Sequence, residues 1–327
     1  MSVICGCNAG LFREALHEVY IPRIQRGDAF FTANVLGARG PLVSVLAHFF
    51  EQGRWGSLVE TAVEGQSLPA EDQLLILMQA ALYLSATRGL GSLEARLCHE
   101  RAESLCRSLS RPLSLYLALV GQWRYSVWNE KLTATMHIAK RIYSLAQEQN
   151  NSALMIGACR PLACTFYFLG DFETARQYAT RGIQIWRSGV VQSAIEEPIT
   201  PAVSCLCFEA LSEWHIGEIA TCQATMAEAI SLAKALNDPH ALAMALWYAG
   251  CLGHFERNPA AVERLASEAL ELSTRQNFAT WLPGEAVLRG WARSAYGDTA
   301  EGIAWIENGI GAHRAIGLML CMPYYLH

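Results

Sequence analysis

Charged residues are scarce in this chain of 327 residues, and those present carry no positive excess. Asp, Glu, Lys and Arg make up 17% of the sequence, below the ~25% that is usual for soluble domains. The formal net charge of −5 argues against nucleic acid or an anionic membrane as the main partner, since both need a basic surface. We therefore expect neither partner.

Long apolar runs are also missing. The longest, residues 74–86, is interrupted by Gln79 and is shorter than the ~20 residues needed to span a bilayer. The first ten residues, MSVICGCNAG, lack the basic start and the apolar centre of a secretory signal. The 11 cysteines are dispersed, which is typical of reduced thiols that act as small apolar residues in a cytosolic protein. We expect a cytoplasmic location.

Motifs that would indicate catalysis or a bound cofactor are absent as well. The sequence has no G-x-x-x-x-G-K-[ST] and no H-E-x-x-H. Cys5–Cys7 and Cys205–Cys207 each enclose one residue, whereas zinc knuckles enclose two, and no nearby Cys or His pair completes either site. The acidic pair Glu196–Glu197 is more typical of a solvated loop than of a catalytic site. The sequence therefore predicts no catalytic residue, no metal site and no cofactor.

What the sequence does contain is a repeat of about forty residues. Residues 158–186 predict two amphipathic helices joined at Leu169-Gly170-Asp171, with small residues where the helices would approach each other. Three kinds of position recur in step, with intervals between 39 and 47 residues. They are the second-helix positions Ala95, Ala134, Ala175, Cys222, Val262 and Gly302, the first-helix positions Ala163, Ala210, Gly250 and Gly290, and the corners Gly170, Gly217, Arg257 and Gly297. A fixed period in this range indicates a solenoid.

With this recurrence, the sequence resembles the tetratricopeptide repeat family. That family places a small residue in the first helix, Gly-Asp-aromatic at the corner and small residues in the second helix. The segment LGDFETARQYATRGI fits this pattern closely, whereas YGDTAEGIAWIENGI has Thr299 in place of the aromatic residue. The period is nearer 40 residues than the ~34 of the family, and HEAT repeats share the longer period. They do not explain the Gly-Asp corner, so we favour the tetratricopeptide interpretation.

A second resemblance covers the chain from about residue 70 onward. Segments such as GQWRYS, CFEALSEWHIGE, AISLAKALNDPHALA and VLRGWARSAYGDTAEGI look like the helical-repeat regions of certain bacterial regulators. Those regulators carry an ATPase module, often with an adenylate-cyclase-like or winged-helix domain. The resemblance implies that the repeats are a sensing and protein-contact region.

The predicted fold is all-α, a right-handed superhelix of antiparallel helix pairs in a single solenoid over residues 1–327. We expect degenerate repeats in residues 1–69, six recognisable repeats in residues 70–316 and the start of a truncated further helix in residues 317–327. Residues 187–201 form the longest non-periodic stretch and predict a loop at one edge of the stack. Neither end carries the polar capping helix usual in solenoids, so self-association through uncapped ends is one possibility.

Several helix starts are indicated by capping residues. Thr200, Asp238 and Asn258 each precede a proline, which predicts a side-chain cap followed by proline at the first helical position. Asp298 with Glu301 three residues later resembles a capping box.

The resemblance to tetratricopeptide arrays also implies a set of binding residues, because the first helices of such arrays line a concave groove. The positions that would face the groove, counted from the small residue of each first helix, are rich in aromatic residues. They are Tyr116, Trp123, Arg160, Tyr167, Phe168, Trp214, His215, Trp247, His254, Phe255 and Trp291. Aromatic anchors with a few polar tips are suited to capture of a peptide. The alternative is that several of them pack between repeats.

These observations favour a non-catalytic scaffold, the regulatory repeat region of a bacterial signalling protein, which binds a peptide or protein segment in its groove. One alternative is a small-molecule inducer-sensing repeat domain of a transcriptional or cyclase regulator, which would need a closed apolar pocket with convergent polar groups. A third hypothesis is an all-α enzyme, which bound metal or cofactor on purification would support.

Overall fold

The computed structural model describes residues 70–88, 90–129, 132–189, 199–276 and 278–326, and these ranges contain helices and no strand. The expected repeats in residues 1–69, the Cys5–Cys7 pair and the Glu196–Glu197 pair lie outside the described residues. Twelve long helices and one short helix are seen in the described ranges: α1 (Ala70–Arg88), α2 (Leu93–Ser108), α3 (Pro112–Asn129), α4 (Leu132–Glu148), α5 (Ser152–Phe168), α6 (Phe172–Arg187), α7 (Pro201–His215), α8 (Ile219–Ala235), α9 (Pro239–Phe255), α10 (Pro259–Gln276), α11 (Leu282–Ala295), α12 (Thr299–Ala315) and α13 (Met322–Tyr325).

The long helices pack as consecutive antiparallel pairs, each against the next pair along the chain. We call the first members of the pairs (α1, α3, α5, α7, α9, α11) the inner helices and the second members (α2, α4, α6, α8, α10, α12) the outer helices. From α3 to α11, each inner helix also contacts the next inner helix. This arrangement confirms the predicted all-α solenoid of helix pairs.

The corners between inner and outer helices share a left-handed backbone conformation. Gly170, Gly217 and Gly297 have φ values of 82°, 90° and 101°, which residues with a side chain rarely adopt. Arg257 occupies the same place in its repeat with φ of 55°. The corner therefore keeps its left-handed conformation even where a side chain makes it less favourable.

The helix starts agree with the sequence at two positions and differ at two. Asp238 and Asn258 accept hydrogen bonds from the backbone N–H groups of Ala241 (2.9 Å) and Ala261 (3.1 Å). The prediction for Thr200 was wrong, because its hydroxyl donates to Asp238 of the next repeat, at 2.6 Å, instead of capping its own helix. Asp298 makes no side-chain cap either; its carboxylate lies 3.6 Å from a guanidinium nitrogen of Arg293.

Close approach of the two helices in a pair depends on the predicted small residues, most clearly between α11 and α12. A Cβ at Gly302 would lie 2.5 Å from the carbonyl oxygen of Gly290 and 2.8 Å from the backbone nitrogen of Ser294. A Cβ at Gly290 would lie 2.6 Å from the carbonyl oxygen of Gly302. Because these neighbours are backbone atoms, no side-chain rotation can make room there.

The two extremes of the described array contact each other. The backbone N–H of Leu90 donates to the hydroxyl of Thr280 at 3.1 Å, across 190 positions of sequence. The rings of Trp128 and Trp281 meet edge to face, with centroids 6.4 Å apart. The superhelix is therefore closed by direct contact between its first two pairs and the start of its last pair.

Residues 318–326, which we call the return segment, run from the end of α12 to this closing contact. The backbone N–H groups of Met319 and Leu320 donate to the carbonyl oxygen of Trp128, at 2.9 and 3.2 Å. That oxygen belongs to the last turn of α3, where helix carbonyls lack intrahelical partners. Leu318, Cys321, Met322 and Tyr325 are buried and belong to the same core as the inner helices.

Candidate functional site

Adjacent aromatic or histidine residues end three successive inner helices. They are the final two residues of each helix: Tyr167 and Phe168 in α5, Trp214 and His215 in α7, His254 and Phe255 in α9. Because these residues occupy the same position in successive repeats, they lie side by side. Together with Trp291 of α11 we call them the aromatic strip, and all seven belong to the predicted groove set.

In the first part of the strip, His215 contacts three neighbouring aromatic side chains. Its ring stacks on that of Phe172, with centroids 4.1 Å apart and planes 6° from parallel. The hydroxyl of Tyr167 lies 3.1 Å from its Nε2 atom, a hydrogen bond between two repeats. The ring of Phe255 lies 5.6 Å away. These contacts hold the imidazole in place although His215 is exposed.

His254 makes corresponding contacts in the next repeat. Its ring meets that of Trp291 edge to face, at 4.5 Å between centroids. The hydroxyl of Tyr324, in the return segment, lies 2.8 Å from its Nδ1 atom. Phe255 beside it contacts both Trp214, at 4.8 Å, and Tyr324, at 5.8 Å between ring centroids. The strip is therefore continuous from α5 to the return segment.

The imidazoles of the strip are neutral at pH 7. Partial desolvation of the imidazole by the surrounding rings lowers the pKa of His215, and burial together with the charge of Arg257 lowers the pKa of His254. Burial raises the pKa of Tyr167 and of Tyr324 well above the ordinary value, so both hydroxyls keep their protons. Each pair is therefore a hydrogen bond between an uncharged hydroxyl and an uncharged imidazole, which makes the strip polar at its tips but uncharged there.

The other four predicted groove residues lie deeper. Tyr116, Trp123, Arg160 and Trp247 are 0%, 5%, 3% and 4% exposed, so none of them offers an open surface. The indole N–H of Trp123 donates to the hydroxyl of Thr165 at 3.2 Å. This hydrogen bond joins two successive helix pairs. The guanidinium of Arg160 lies 5.3 Å from the Trp123 ring centroid, in a cation–π contact. We call these four buried residues the floor of the site; two of them, Trp123 and Arg160, line one cavity together with Phe168 of the strip.

A cavity of about 40 Å³ lies in this floor, between α3, α5, α7 and α9. Trp123, Trp128, Trp281 and Arg160 are among its lining residues, and Leu320 of the return segment covers part of it. The volume suffices for a few water molecules. It is far below the ~300 Å³ at which pockets begin to hold small organic ligands.

Sequence reasoning missed three residues of the site. Phe172, the aromatic residue of the Gly-Asp corner, was assigned only to the repeat pattern, although that corner places it against the strip. Trp281 lies in the connection between α10 and α11, where no repeat position signals it. Tyr324 belongs to the return segment, and nothing in the repeat pattern indicates that this segment turns back.

The described residues contain no group of three or more His, Cys, Asp or Glu side chains arranged to hold a metal ion. Cys205 and Cys207 are buried free thiols, and burial raises the pKa of both. Among the helices in the described ranges, none combines the length and the apolar character that a membrane crossing needs.

The stacked pairs, the left-handed corners and the inner aromatic surface define the class of protein: a tetratricopeptide-like α-solenoid. Similar architectures are known. A Rap protein complexed with competence and sporulation factor has a TM-score of 0.57 and 12% identity, over 86% of this chain and 76% of that chain. The apo form of RapI has a TM-score of 0.58 and 9% identity, over 83% of this chain and 95% of that chain. No protein-family model and no curated protein matches the sequence.

Proposed function

We propose that the chain is a non-catalytic regulatory scaffold that binds a peptide or a segment of another protein on its concave surface. The observation that carries the proposal is the aromatic strip. It offers several rings in one line, with hydroxyl and imidazole tips, on rigid helix ends whose order does not depend on a ligand. Surfaces of this composition supply the anchors of peptide recognition at little ordering cost.

The likeness to the Rap protein that was crystallised with competence and sporulation factor supports a peptide as the partner class. The net charge of −5 supports a protein partner rather than nucleic acid or an anionic membrane. The resemblance of residues from 70 onward to the repeat regions of bacterial ATPase- and cyclase-type regulators supports a cytoplasmic role in signalling.

A small-molecule inducer is the second candidate. The cavity in the floor has an apolar lining with arginines, as such a site would require. Its volume of about 40 Å³ favours the peptide instead, because inducer pockets are roughly tenfold larger.

The proposal is tested with peptides selected by phage display against the immobilised protein. Dissociation constants are then measured by fluorescence polarisation for the wild type and for the double variant Trp214→Ala, His215→Ala. Both residues lie on the strip and are open to solvent in part, so their removal costs contact area without emptying the core. We expect the affinity to fall at least about tenfold, as for interface hot spots.

The matched control is Tyr296→Ala, since Tyr296 is 56% exposed at the end of α11 and outside the strip. It should bind as the wild type does. Unchanged affinity in the double variant, with the helical circular-dichroism signal intact, would place the binding surface elsewhere.

A further inference from the structure

We propose that the return segment, residues 318–326, is a tethered ligand of the concave surface, and that the partner peptide takes its place. The partner would then be an uncharged peptide segment with two adjacent aromatic residues and flanking aliphatic residues. This inference rests on the proposed function and names the ligand chemistry and the regulation of the same site.

The return segment lies on the concave surface as a peptide would. Two consecutive backbone N–H groups, of Met319 and Leu320, donate to the carbonyl oxygen of Trp128. Main-chain hydrogen bonds of this kind fix an added peptide without regard to its sequence. Leu320 covers the cavity of the floor. The segment thereby fixes one end of its path on α3.

The other end of the segment is recognised through two adjacent tyrosines. The hydroxyl of Tyr324 bonds to His254 Nδ1, and its ring packs against Phe255. The hydroxyl of Tyr325 lies 3.1 Å from Nε2 of His313 in α12. The tyrosines thus make polar contacts with imidazoles that burial keeps neutral, and the segment LMLCMPYYL carries no charge. A replacement that buries a charge here would be penalised.

The fit of the return segment is incomplete. The buried indole N–H groups of Trp247 and Trp281 have no hydrogen-bond partner. The Trp247 indole nitrogen and the Tyr325 hydroxyl both lie within 3 Å of where a Cβ of Gly284 would be, so one of these donors is beside the segment. Buried donors without partners cost stability. A peptide whose carbonyl groups reach these indoles would therefore bind better than the segment does.

The structure of the segment also favours its release from the concave surface. Gly317, with φ of 75°, separates it from α12 and provides a hinge. Met319 and Leu326 are 50% and 62% exposed, so individual side chains of the segment are open to solvent near its start and at its end. Because the tether is short, the segment competes for the concave surface at an effective concentration on the order of 1 mM. A free peptide must bind well enough to displace it. The apparent affinity for the partner equals the intrinsic affinity multiplied by the fraction of molecules in which the segment is released.

The test uses the full chain and a fluorescein-labelled peptide with the sequence of residues 318–326, in which Cys321→Ser prevents oxidation. The variant Tyr324→Ala weakens the tethered segment and substitutes no residue of the aromatic strip or of the floor. We expect it to bind the peptide about tenfold more tightly than the wild type, the equivalent of about 1.4 kcal/mol of lost competition. Tyr296→Ala is the control and should bind as the wild type does. The peptide with both tyrosines changed to alanine should bind neither.

Hydrogen exchange provides a second readout. In the wild type the amides of Met319 and Leu320 are protected by their bonds to Trp128. Tyr324→Ala should speed their exchange, and a saturating concentration of peptide should do the same in the wild type. Exchange in α5 and α7 should stay slow, which excludes general unfolding as the cause.

The outcomes separate this inference from the proposed function. If a peptide selected on the concave surface binds the wild type and Tyr324→Ala equally, and exchange at Met319 and Leu320 does not respond, the proposed function stands and the tethered ligand is refuted. If no peptide binds even when exchange shows the segment released, both are refuted. If Tyr324→Ala forms concentration-dependent dimers in sedimentation experiments instead of binding peptide, the surface takes a second copy of the chain, and the inference fails.

Discussion

The inner and outer helices of one pair are similar in length but differ in their surroundings. Outer helix α6 buries one stripe, Ala175, Ala179, Gly182 and Ile183, and turns its other faces to solvent. Inner helix α9 is buried over nearly its whole length between Ala241 and Gly253. The outer helix is covered on one side only, by its neighbours in the array. The inner helix is also contacted on its other side, where the return segment packs against its C-terminal end.

The two layers are also joined along the array by different forces. Outer helices of successive repeats are linked by exposed ion pairs, such as Arg187 with Glu228 at 2.7 Å and Lys234 with Glu268 at 3.1 Å. Inner helices are linked by ring contacts and by the hydrogen bonds of buried hydroxyls. Substitutions at buried contacts, where an outer helix meets an inner helix or the return segment, should therefore cost much more than substitutions of the exposed outer ion pairs.

The largest effect is expected where an inner helix touches an outer helix backbone to backbone. Gly302→Ala places a Cβ 2.5 Å from the Gly290 carbonyl oxygen, so the helices must separate, and we expect a loss of about 3 kcal/mol in the free energy of unfolding. Urea denaturation followed by circular dichroism measures it. Gly311→Ala is the control in the same helix, since a Cβ there meets nothing within 4 Å. It should be neutral or stabilising by up to about 1 kcal/mol. Equal effects of the two substitutions would contradict the close packing.

A smaller effect is expected at acid pH where an outer helix reaches the return segment. Burial lowers the pKa of His313 from 6.5 to about 4, so the unfolded chain takes up the proton first. The stability conferred by the neutral imidazole is complete above pH 6.5 and is lost as the pH falls toward 4. The loss at pH 5 should be about 2 kcal/mol.

The matched measurement is urea unfolding at pH 7.5 and pH 5 for the wild type and for His313→Gln. Because His99 also has a lowered pKa, of about 3, only the difference between the two proteins is informative. The variant should lose about 2 kcal/mol less over this interval. Identical pH dependence would show that His313 is not buried against Tyr325.

The corner at Arg257 offers a stabilising substitution. Its φ of 55° is unfavourable for a residue with a side chain, and the three equivalent corners use glycine. Arg257→Gly should raise the free energy of unfolding by about 1 kcal/mol. Gly217→Arg, the reverse change at an equivalent corner, should lower it by a similar amount. If both substitutions leave the free energy of unfolding unchanged, the left-handed conformation of the corner does not affect stability.

The smallest effect is expected for the outer ion pairs. Glu228→Gln removes the partner of Arg187, and both side chains are about half exposed. The change should cost less than about 0.5 kcal/mol, and added salt should reduce it further. A loss above 2 kcal/mol would remove the proposed difference between the buried contacts and the exposed ion pairs.

The sequence predicted the helix pairs and their corners because these depend on local pattern. Gly170, Gly217, Arg257 and Gly297 recur with the period and all have positive φ. Small residues at Gly290 and Gly302 indicated close helix approach. Caps were less predictable: Thr200 bonds to Asp238 in the next repeat, and no local signal distinguishes that partner from its own helix.

The sequence predicted which repeat positions contribute to the candidate site, but not which of those side chains are buried. The counting rule placed eleven residues on inner helices, and seven of them form the aromatic strip. The other four lie on the same helices but are buried: Tyr116, Trp123, Arg160 and Trp247. Burial there depends on contact between residues far apart in sequence, such as Leu90 with Thr280, which no periodic pattern encodes.

The contact between Leu90 and Thr280 has a consequence for how the array comes apart. An open solenoid can fray one hairpin at a time from either extremity, since each repeat interacts only with its neighbours. Here the loss of α11 and α12 would also break the contacts of Leu90 with Thr280 and of Trp128 with Trp281, so unfolding at one extremity weakens the other. Thermal unfolding of the described array should accordingly be a single cooperative transition, and a ligand that holds the seam would stabilise every repeat at once.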